Sequence, residues 1–267
     1  MVLKSAKFDD VYFSADGGMD ETRHVFIDGN GLPQAWQGLD NFTIAETGFG
    51  TGLNFLCAWK LFEQTSQPRQ KLHFISVEKY PLSKDEIIDA LSLWDNDLGV
   101  YLKRLMAQYP IRVPGVHQID LTDNVRLTLW FGDVNDVLPE WTGQVDAWFL
   151  DGFTPSKNAD MWSDILYENM ARLSHQDTRY ATFTAAGAVR RGLDAAGFSV
   201  EKTKGFGRKR DMVRGQFMGN AQRVSAIKPR KIAIIGGGLA GCAAAQAFVR
   251  NGDLVTVYEA GEGLAAQ

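Results

Sequence analysis

Cysteine is scarce in this sequence: Cys57 and Cys242 are the only two among 267 residues. They lie too far apart for the paired spacing of a zinc site, and they are too few for a disulfide framework. The four histidines do not supply a metal-ligand spacing either. We therefore expect no metal site, and we expect a location in the reducing cytoplasm.

Long apolar runs are missing as well. The first ten residues contain none that could act as a signal peptide, and no later stretch could span a bilayer. The chain is nevertheless 45% hydrophobic, which is enough for a full core and argues against disorder. We expect a soluble monomer with no membrane partner, built as one large domain or as one domain with a further piece.

An excess of positive charge is also absent, since the net charge is −4, and this alone argues against a nucleic-acid partner. The distribution of charge argues the other way. Residues 187–231 contain twelve Lys and Arg against three acids, a local charge of +9, so the remainder carries −13. Such a stretch can attract phosphates. An ordinary solvated surface is the alternative.

Glycine, by contrast, is concentrated where residues 42–54 predict a β-strand, a sharp turn and the start of a helix. The motif is Glu46-Thr-Gly-Phe-Gly-Thr-Gly52, followed by Leu53 and Asn54. Glycines let a ligand lie against bare backbone, and the amides of the following helix point toward it. The spacing matches neither a dinucleotide fingerprint nor a phosphate-binding loop. The motif predicts a nucleotide-like cofactor, with a tight turn in some other α/β domain as the alternative.

The hydrophobic pattern predicts an α/β domain with a Rossmann-type sheet. Residues 53–62 are apolar nearly all round, as expected of a helix packed on a parallel sheet, and residues 83–86 have the capping-box pattern of a helix start. The predicted strands begin at residues 42, 72, 125, 145, 180, 198 and 212. They give a seven-stranded sheet with helices on both faces. Residues 1–41 are predicted as short strands and turns, in which the aromatic segment 8–14 covers the cofactor cleft or caps the sheet edge.

Carboxylates follow the predicted parallel strands. Open parallel sheets bind ligands beyond the carboxyl ends of their strands, so Asp151, directly after the apolar strand 145–150, is expected where chemistry occurs. Glu78 ends the second strand, where an acid can accept both hydroxyls of a ribose. An ordinary strand-end carboxylate at Glu78, and a helix cap or structural carboxylate at Asp151, are the alternatives.

A second β-α-β pattern begins at residue 231, after a linker. Its strand is followed by glycines at the first, third and sixth positions, and an acid lies 23 residues after the first glycine, close to the spacing for a ribose 2′-hydroxyl. These residues are Gly236, Gly238, Gly241 and Glu259. We predict a methyltransferase-sized domain at 1–222, a linker at 223–229, and an incomplete FAD-binding unit at 230–267. We expect this unit to be unable to hold FAD stably alone.

Taken together, the motifs identify a family. The first glycine motif resembles motif I of class I S-adenosylmethionine-dependent methyltransferases. Combined with Trp148-Phe-Leu-Asp-Gly-Phe-Thr-Pro155, Gly205-Phe-Gly-Arg-Lys-Arg-Asp-Met212 and the trailing FAD fingerprint, it resembles the bacterial bifunctional tRNA 5-methylaminomethyl-2-thiouridine biosynthesis proteins. The resemblance covers essentially the whole chain. It implies a domain that methylates the aminomethyl group of the wobble uridine, and an FAD domain, complete only in full-length members, that removes a carboxymethyl group from the same nitrogen.

The resemblance also implies roles for individual residues. In such methyltransferases, the acid and glycines of motif I hold the methionine end of S-adenosylmethionine. Glu78 would accept from the ribose, and Asp133 from the adenine amino group. The cofactor-binding residues expected at the first motif are Glu46, Gly48, Gly50, Gly52 and Asn54.

Methyl transfer to an amine requires a free nitrogen lone pair, so a carboxylate that accepts the amine proton would help. We expect Asp151 in this catalytic role. Phe153 is expected to stack on the uridine, with a place in the core as the alternative. We expect tRNA phosphates at the basic loop between the last two strands, which contains Arg208, Lys209 and Arg210. The alternative is that these side chains solvate a turn or pair with acids such as Asp211.

Two other functions are compatible with the same patterns. The domain could methylate a small metabolite or bind the cofactor without catalysis, and a full-length protein could act principally as a flavin oxidoreductase. Methyl transfer to undermodified tRNA, compared with small amines, separates the first from the tRNA function. A flavin spectrum tests the second.

Overall fold

The computed structural model describes residues 4–5, 10–12, 17–207, 209–224 and 229–261. The chain divides into two compact units, residues 1–223 and 224–267. None of the helices in the described ranges is long and apolar enough to cross a membrane. Within the same ranges, no group of three or more His, Cys, Asp and Glu side chains could hold a metal ion.

The larger unit contains ten strands in the described residues. They are β1 (Lys4–Ser5), β2 (Asp10–Val11), β3 (Asn41–Thr47), β4 (Lys71–Glu78), β5 (Gly115–Thr122), β6 (Val125–Phe131), β7 (Val145–Leu150), β8 (Ser174–Thr182), β9 (Glu201–Lys204) and β10 (Asp211–Gln216). The first two pair only with each other, and the other eight form one sheet.

Seven α-helices accompany these strands in the same unit. They are α1 (Gly18–Thr22), α2 (Leu53–Thr65), α3 (Lys84–Leu91), α4 (Asp95–Gln108), α5 (Val134–Glu140), α6 (Asp164–Leu173) and α7 (Gly187–Ala195). A π-helical turn, Arg23–Ile27, continues α1, and short 3-10 turns occur at Gln34–Trp36, Ser92–Trp94 and Ala159–Met161.

The sheet has the order β5-β6-β4-β3-β7-β8-β10-β9. The strands from β6 to β8 are parallel, whereas β5, β10 and β9 pair antiparallel with their neighbours. The predicted α/β class with a Rossmann-type sheet is confirmed. The sheet has one strand more than the seven predicted, because β5 forms a hairpin with β6. Half of β5 is solvent-facing, so its sequence lacks the continuous apolar run that marks the central strands.

Two cores lie on the two faces of the sheet. All six residues of β7 are buried, and alternate side chains point to opposite faces. Phe149 joins the core formed with α2 and α4, whereas Trp148 and Leu150 join the core formed with α5, α6 and α7. Helices on both faces therefore fix the position of the carboxyl edge of the sheet.

The segment before β3 differs from the prediction. Short strands and turns were predicted for residues 1–41, but residues 18–27 form α1 and its π-helical turn. Val25, Phe26 and Ile27 are buried in the core shared with α2. This tertiary burial stabilises a helix whose own sequence, with two consecutive glycines at its start, gave little sign of one.

The smaller unit contains β11 (Lys231–Ile235), α8 (Leu239–Arg250) and β12 (Leu254–Tyr258), and its two strands are parallel. This is the β-α-β order that the sequence predicted. None of these three elements contains a fully buried residue.

Candidate active site

A cavity of about 410 Å³ opens at the carboxyl edge of the parallel strands. Its walls include the residues that follow β3, β4, β6 and β7, as expected for an open parallel sheet. Its volume falls within the usual range of small-molecule sites. The predicted site residues that line it are Gly48, Gly50, Asn54, Glu78, Asp133, Asp151, Phe153 and Lys209.

Glu46, Gly52 and Arg210, the other predicted residues of the larger unit that the structure describes, do not line the cavity. Glu46 is buried beneath it, and Gly52 lies at the start of α2. Arg210 points to solvent, with 93% of its side chain exposed. Arg208 lies outside the described residues.

The glycine turn brings bare backbone to the cavity. Gly48, Gly50 and Gly52 all have positive φ angles, a conformation that glycine adopts without strain. A Cβ atom on Gly48 would lie 3.2 Å from Cα of Gly152, so the ends of β3 and β7 could not approach as closely with another residue. The turn leads directly into α2, whose first amides are unpaired within the helix and available to a ligand.

Glu78 fixes the far side of this turn. Its Oε2 accepts a hydrogen bond from the Gly50 amide at 2.9 Å, and its Oε1 accepts one from the Tyr80 amide at 2.7 Å. Burial raises the pKa of Glu78, although these amide hydrogen bonds oppose the shift. The Lys79 amide also acts on this carboxylate. Since a carboxylate has about four lone-pair positions, the group could still accept from a ribose hydroxyl.

Asp133 has two protein partners. As the N-cap of α5 it accepts from the Asn135 amide at 2.9 Å, and its other oxygen accepts from Nζ of Lys79. Burial acts to raise the pKa of Asp133, but the hydrogen bonds from Lys79 and Asn135 outweigh it and leave the pKa lowered. Asp133 is therefore a fixed carboxylate at the cavity wall, and Lys79 is a neighbour that the sequence patterns did not reveal.

Asn54 links two acids of the site, Glu46 and Asp151. Its side-chain amide donates one hydrogen bond to Glu46 at 2.9 Å and another to Asp151 at 2.7 Å. Its carbonyl oxygen accepts from the Thr22 hydroxyl at 2.7 Å. The amide can have only this orientation, because a flipped group would turn its oxygen toward two carboxyl groups. Asn54 therefore fixes the position of Asp151.

Glu46 faces inward rather than toward the cavity. Its second oxygen accepts from the Ser76 hydroxyl at 2.7 Å, and its side chain is nearly inaccessible to solvent. Burial, followed by the charge of Asp151, raises the pKa of Glu46 well above its usual range. In this arrangement, Glu46 acts on the site through Asn54 and does not reach a ligand directly.

Asp151 is the carboxylate that both lines the cavity and belongs to this hydrogen-bond network. Its Oδ1 accepts from the Gly152 amide at 2.8 Å. Burial raises the pKa of Asp151 to about 6, against the opposing effects of the Gly152 and Asn54 hydrogen bonds and of the Lys209 charge. A carboxyl group with such a pKa is ionised at neutral pH and is a better proton acceptor than an ordinary aspartate.

An aromatic pair lies at the cavity wall beside Asp151. Tyr12 and Phe153 meet edge to face, with ring centroids 5.3 Å apart, and both line the cavity. A Cβ atom on Gly50 would lie 3.1 Å from the Tyr12 ring. Tyr12 belongs to the aromatic segment 8–14, which was expected either to cover the cofactor cleft or to cap the sheet edge. The other aromatic residues of that segment, Phe8 and Phe13, lie outside the described residues.

A further wall was not predicted from the sequence. Glu21 and Thr22 of α1 line the cavity together with Phe183 and Lys209. Nζ of Lys209 donates to Oε1 of Glu21 at 2.7 Å, although the two residues are 188 positions apart. Lys209 therefore pairs with an acid, as the alternative expectation for the basic loop has it, although this acid is Glu21 and not Asp211. Arg210 lies 3.8 Å from Asp211 but is almost fully exposed.

The second glycine fingerprint lies in the smaller unit. A Cβ atom on Gly241 would lie 1.9 Å from the carbonyl oxygen of Gly236, so α8 approaches the end of β11 closely. Gly238 is the N-cap of α8. Glu259 accepts from the amides of Gly237, Ala260 and Gly261, and these hydrogen bonds lower its pKa.

Comparison with known proteins gives matches over nearly the whole chain. A family model described as S-adenosyl-L-methionine-dependent methyltransferase matches residues 96–218. The tRNA 5-methylaminomethyl-2-thiouridine biosynthesis bifunctional protein MnmC of Methylobacillus flagellatus is 49% identical over 258 residues, which are 96% of this chain and 39% of that protein. Proteins of the same name from Marinomonas sp. and Vibrio campbellii are 46% and 47% identical, covering 98% and 95% of this chain and 41% of each relative.

The chain thus spans about two-fifths of the length of these curated relatives. Among solved structures, it is similar to the crystal structure of MNMC2 from Aquifex aeolicus, with a TM-score of 0.67 and 20% identity. That similarity covers 84% of this chain and 69% of the other and shows a shared fold. The resemblance found in the motifs is confirmed: the chain is a homologue of the bacterial tRNA 5-methylaminomethyl-2-thiouridine biosynthesis bifunctional proteins and has the fold of the S-adenosyl-L-methionine-dependent methyltransferases.

Proposed function

We propose that the larger unit transfers a methyl group from S-adenosylmethionine to the aminomethyl nitrogen of 5-aminomethyl-2-thiouridine at the wobble position of tRNA. The observation that carries this proposal is the partly buried Asp151, which is held by Asn54 at the cavity beside the glycine turn. The family match supports the cofactor, and the names of the relatives supply the substrate.

The residues at the cavity fit S-adenosylmethionine as cofactor. The glycine turn offers backbone that a Cβ atom would block, and Glu78 has lone pairs available to ribose hydroxyls. Asp133 lines the same cavity and could accept a hydrogen bond from an adenine amino group. Gly48, Gly50 and Asn54 would hold the methionine end, with Glu46 and Gly52 supporting them from behind. When bound, the cofactor supplies an electrophilic methyl group on a sulfonium.

Asp151 would act on the substrate nitrogen. The primary amine can accept a methyl group only through a free lone pair, so its protonated form must first lose a proton. Asp151 accepts that proton, and its position beyond β7 lets Phe153 hold the uridine ring alongside. Alignment of the amine with the methyl group supplies a further part of the rate.

Charge supports tRNA as the partner. The stretch 187–231, with its local charge of +9, includes α7 and the hairpin of β9 and β10, and Lys209 of that hairpin lines the cavity. Phosphate contacts would therefore form near the reacting base. A cytoplasmic location and the absence of a metal belong to the same proposal and are supported by the scarcity of cysteine and of metal-ligand spacing. Action as a monomer is part of the proposal as well.

Transfer of tritium from methyl-labelled S-adenosylmethionine tests the methyltransferase proposal. Undermodified tRNA with 5-aminomethyl-2-thiouridine should accept label, and the same tRNA with an unmodified wobble uridine should not. A panel of small primary amines provides the comparison. Equal labelling of free amines and aminomethyl tRNA would instead favour a small-molecule N-methyltransferase.

A second proposal concerns residues 230–267, which we infer to be the start of an FAD-dependent oxidoreductase domain of the longer relatives. The close approach of α8 to the end of β11 at Gly241 and Gly236 supports this. Glu259 would have to exchange one of its amide partners for a ribose hydroxyl. Flavin absorbance of a full-length protein with this sequence, and its loss on Gly241→Leu, tests the assignment.

A further inference from the structure

Oppositely charged groups and an aromatic ring meet at the cavity mouth, outside the predicted cofactor contacts. Nζ of Lys209 lies 2.7 Å from Oε1 of Glu21 and 4.3 Å from the centroid of the Phe183 ring. The charges of Lys209 and Glu21 both act on the pKa of Asp151, in opposite directions. Lys209 and Glu21 therefore lie within electrostatic reach of Asp151, the carboxylate proposed to serve the substrate nitrogen.

A carboxylate and an aromatic face form a binding site for a primary alkylammonium ion. The carboxylate accepts a charge-assisted hydrogen bond, and the ring attracts the cation through its quadrupole. The ammonium ion held here is that of Lys209 itself. The substrate of the proposed reaction carries the same chemical group, a primary amine on a flexible methylene.

The burial of the two ion-pair partners is unequal. The side chain of Glu21 is 17% exposed, whereas that of Lys209 is 46% exposed. The acceptor is thus part of the cavity wall, and the ammonium group reaches it from the solvent side.

The backbone around Lys209 is held in place. The Gly205 amide donates to the Arg210 carbonyl at 3.1 Å, and the Lys209 amide donates to the Phe206 carbonyl at 3.0 Å. Phe206 packs against His24, on the π-helical turn that continues α1. Departure of the ammonium group therefore requires only rotation of the Lys209 side chain, while its loop stays anchored beside the helix that carries Glu21.

We propose that Glu21 and Phe183 form the subsite for the ammonium group of the substrate, and that the side chain of Lys209 occupies this subsite until substrate displaces it. The proposal rests on the proposed methyl transfer to an aminomethyl nitrogen. In this arrangement, the ammonium group of Lys209 competes with free amines for the subsite. A tRNA can offset the displacement because its phosphates accept the released ammonium group, whereas a free nucleoside cannot.

Equilibrium binding tests this directly, without methyl transfer. The protein is saturated with S-adenosylhomocysteine, and its affinity for 5-aminomethyluridine nucleoside is measured by calorimetry. Lys209→Met removes the charge and keeps an unbranched side chain that is one atom shorter. It should increase affinity for this nucleoside about tenfold, a ratio in keeping with the loss of one charged competitor. The nucleoside 5-methyluridine, which lacks the amine, should show no gain.

Three further variants make the result specific. Lys202→Met removes a lysine of the same hairpin that pairs with Asp211, and it should leave both affinities unchanged. In the Lys209→Met background, Glu21→Gln or Phe183→Leu should abolish the gain for the aminomethyl nucleoside.

Two results would overturn the inference. One is an unchanged or weaker affinity of Lys209→Met for the aminomethyl nucleoside. The other is an equal gain for 5-methyluridine, which would mean that the substitution only creates space. Amine-specific binding without methyl transfer to tRNA would refute the proposed function and keep the subsite. Methyl transfer without any affinity gain would do the reverse.

Discussion

Asp151 and Asn54 together show how single side chains are prepared for chemistry at this site. Asn54 donates both of its amide hydrogens to acids, and its oxygen is occupied by Thr22. The carboxylate of Asp151 is thereby fixed by a group that cannot reorient without facing two acids. Burial then raises the pKa of Asp151 to about 6. Position and basicity thus have separate causes, hydrogen bonding for the first and desolvation for the second.

Replacing Asp151 by Asn should slow methyl transfer to aminomethyl tRNA by about 10²- to 10⁴-fold, the usual contribution of an acid–base group. Affinity for S-adenosylmethionine, measured by calorimetry, should be nearly unchanged because Asp151 is not among the expected cofactor contacts. Full activity of the variant would refute the proposed role of Asp151.

The pH dependence of kcat/KM should report the same carboxyl group. Since Asp151 must be ionised to accept a proton, the rate should fall as the pH decreases through its pKa of about 6. Rates measured from about pH 5 to about pH 8, a range that lies on both sides of this pKa, should show this acidic limb in the wild-type protein. Asp151→Asn should retain the dependence that arises from the substrate amine and lose the limb near pH 6.

At the scale of the secondary-structure elements, the glycine turn after β3 depends on residues that adopt positive φ angles without strain. Gly50 has a φ of +52°, and its amide donates to Glu78. Gly50→Val should weaken S-adenosylmethionine binding more than about tenfold, because the branched side chain would strain the turn and collide with Tyr12. Calorimetry measures the affinity, and far-UV circular dichroism checks that the fold is retained.

Gly38 supplies a matched control for this substitution. Its φ of +76° imposes comparable backbone strain, but a Cβ atom there meets nothing within 4 Å. Gly38→Val should lower stability by about 1–2 kcal/mol without weakening cofactor binding. Equal loss of affinity in both variants would mean that the effect of Gly50→Val is one of general stability.

Helix α3 illustrates a local signal that the structure reproduces. Ser83 accepts from the Glu86 amide at 3.3 Å, and Glu86 accepts from the Ser83 amide at 2.7 Å, as the capping-box pattern predicted. Ser83→Ala should reduce the free energy of unfolding by about 1 kcal/mol, because the Glu86 amide loses the hydroxyl that accepts its hydrogen bond, whereas the amide of residue 83 can still donate to Glu86. Urea denaturation measures the loss. Ser92→Ala, which removes an exposed hydrogen bond to Asp89, should change it by less than about 0.5 kcal/mol.

For the molecule as a whole, charge asymmetry matters more than net charge. The stretch 187–231 carries +9 within a chain of −4. Of the basic residues predicted to contact phosphates, the structure describes Lys209 and Arg210. The Arg210 side chain is the more exposed of these two, whereas Lys209 pairs with Glu21. A single phosphate contact at Arg210 is therefore the sharper expectation.

Arg210→Ala should reduce the slope of log affinity for tRNA against log salt concentration by about 0.9 or less, the contribution of one phosphate contact. Filter binding at several salt concentrations measures this slope, and S-adenosylmethionine affinity should be unchanged. Arg69→Ala makes the same change in charge in the exposed turn before β4, away from the basic stretch, and should leave the slope unaltered. An identical slope in Arg210→Ala and wild type would exclude Arg210 from phosphate recognition.

The order of strands also explains a buried polar cluster far from the cavity. β8 begins at Ser174, earlier than the predicted start at residue 180. There His175 and Arg223 both contact Oδ1 of Asp146, at 2.9 Å and 2.7 Å. The polar residues before 180 lie outside the predicted strand, but these partners allow Ser174 and His175 to be buried at the start of β8.

Local patterns in the chain were sufficient to predict the α/β class, the central parallel strands, the glycine turn and the acids that follow β4, β6 and β7. Each of these depends on a few neighbouring residues: alternation and apolar runs mark strands, and glycines mark turns. Because parallel strands share one carboxyl edge, that information also placed Glu78, Asp133 and Asp151 around one cavity.

Long-range packing decided the rest. The inward turn of Glu46, the helical segment 18–27, the edge strand β5 and the pairing of Lys209 with Glu21 depend on partners distant in sequence, which no local pattern contains. Lys209 and Glu21 are 188 positions apart, so they can interact only after the sheet has brought α1 and the β9–β10 hairpin together. Local sequence patterns therefore determine the carboxyl edge of the sheet, where the site forms. The cavity wall that contains Glu21, Phe183 and Lys209 is determined only by tertiary packing.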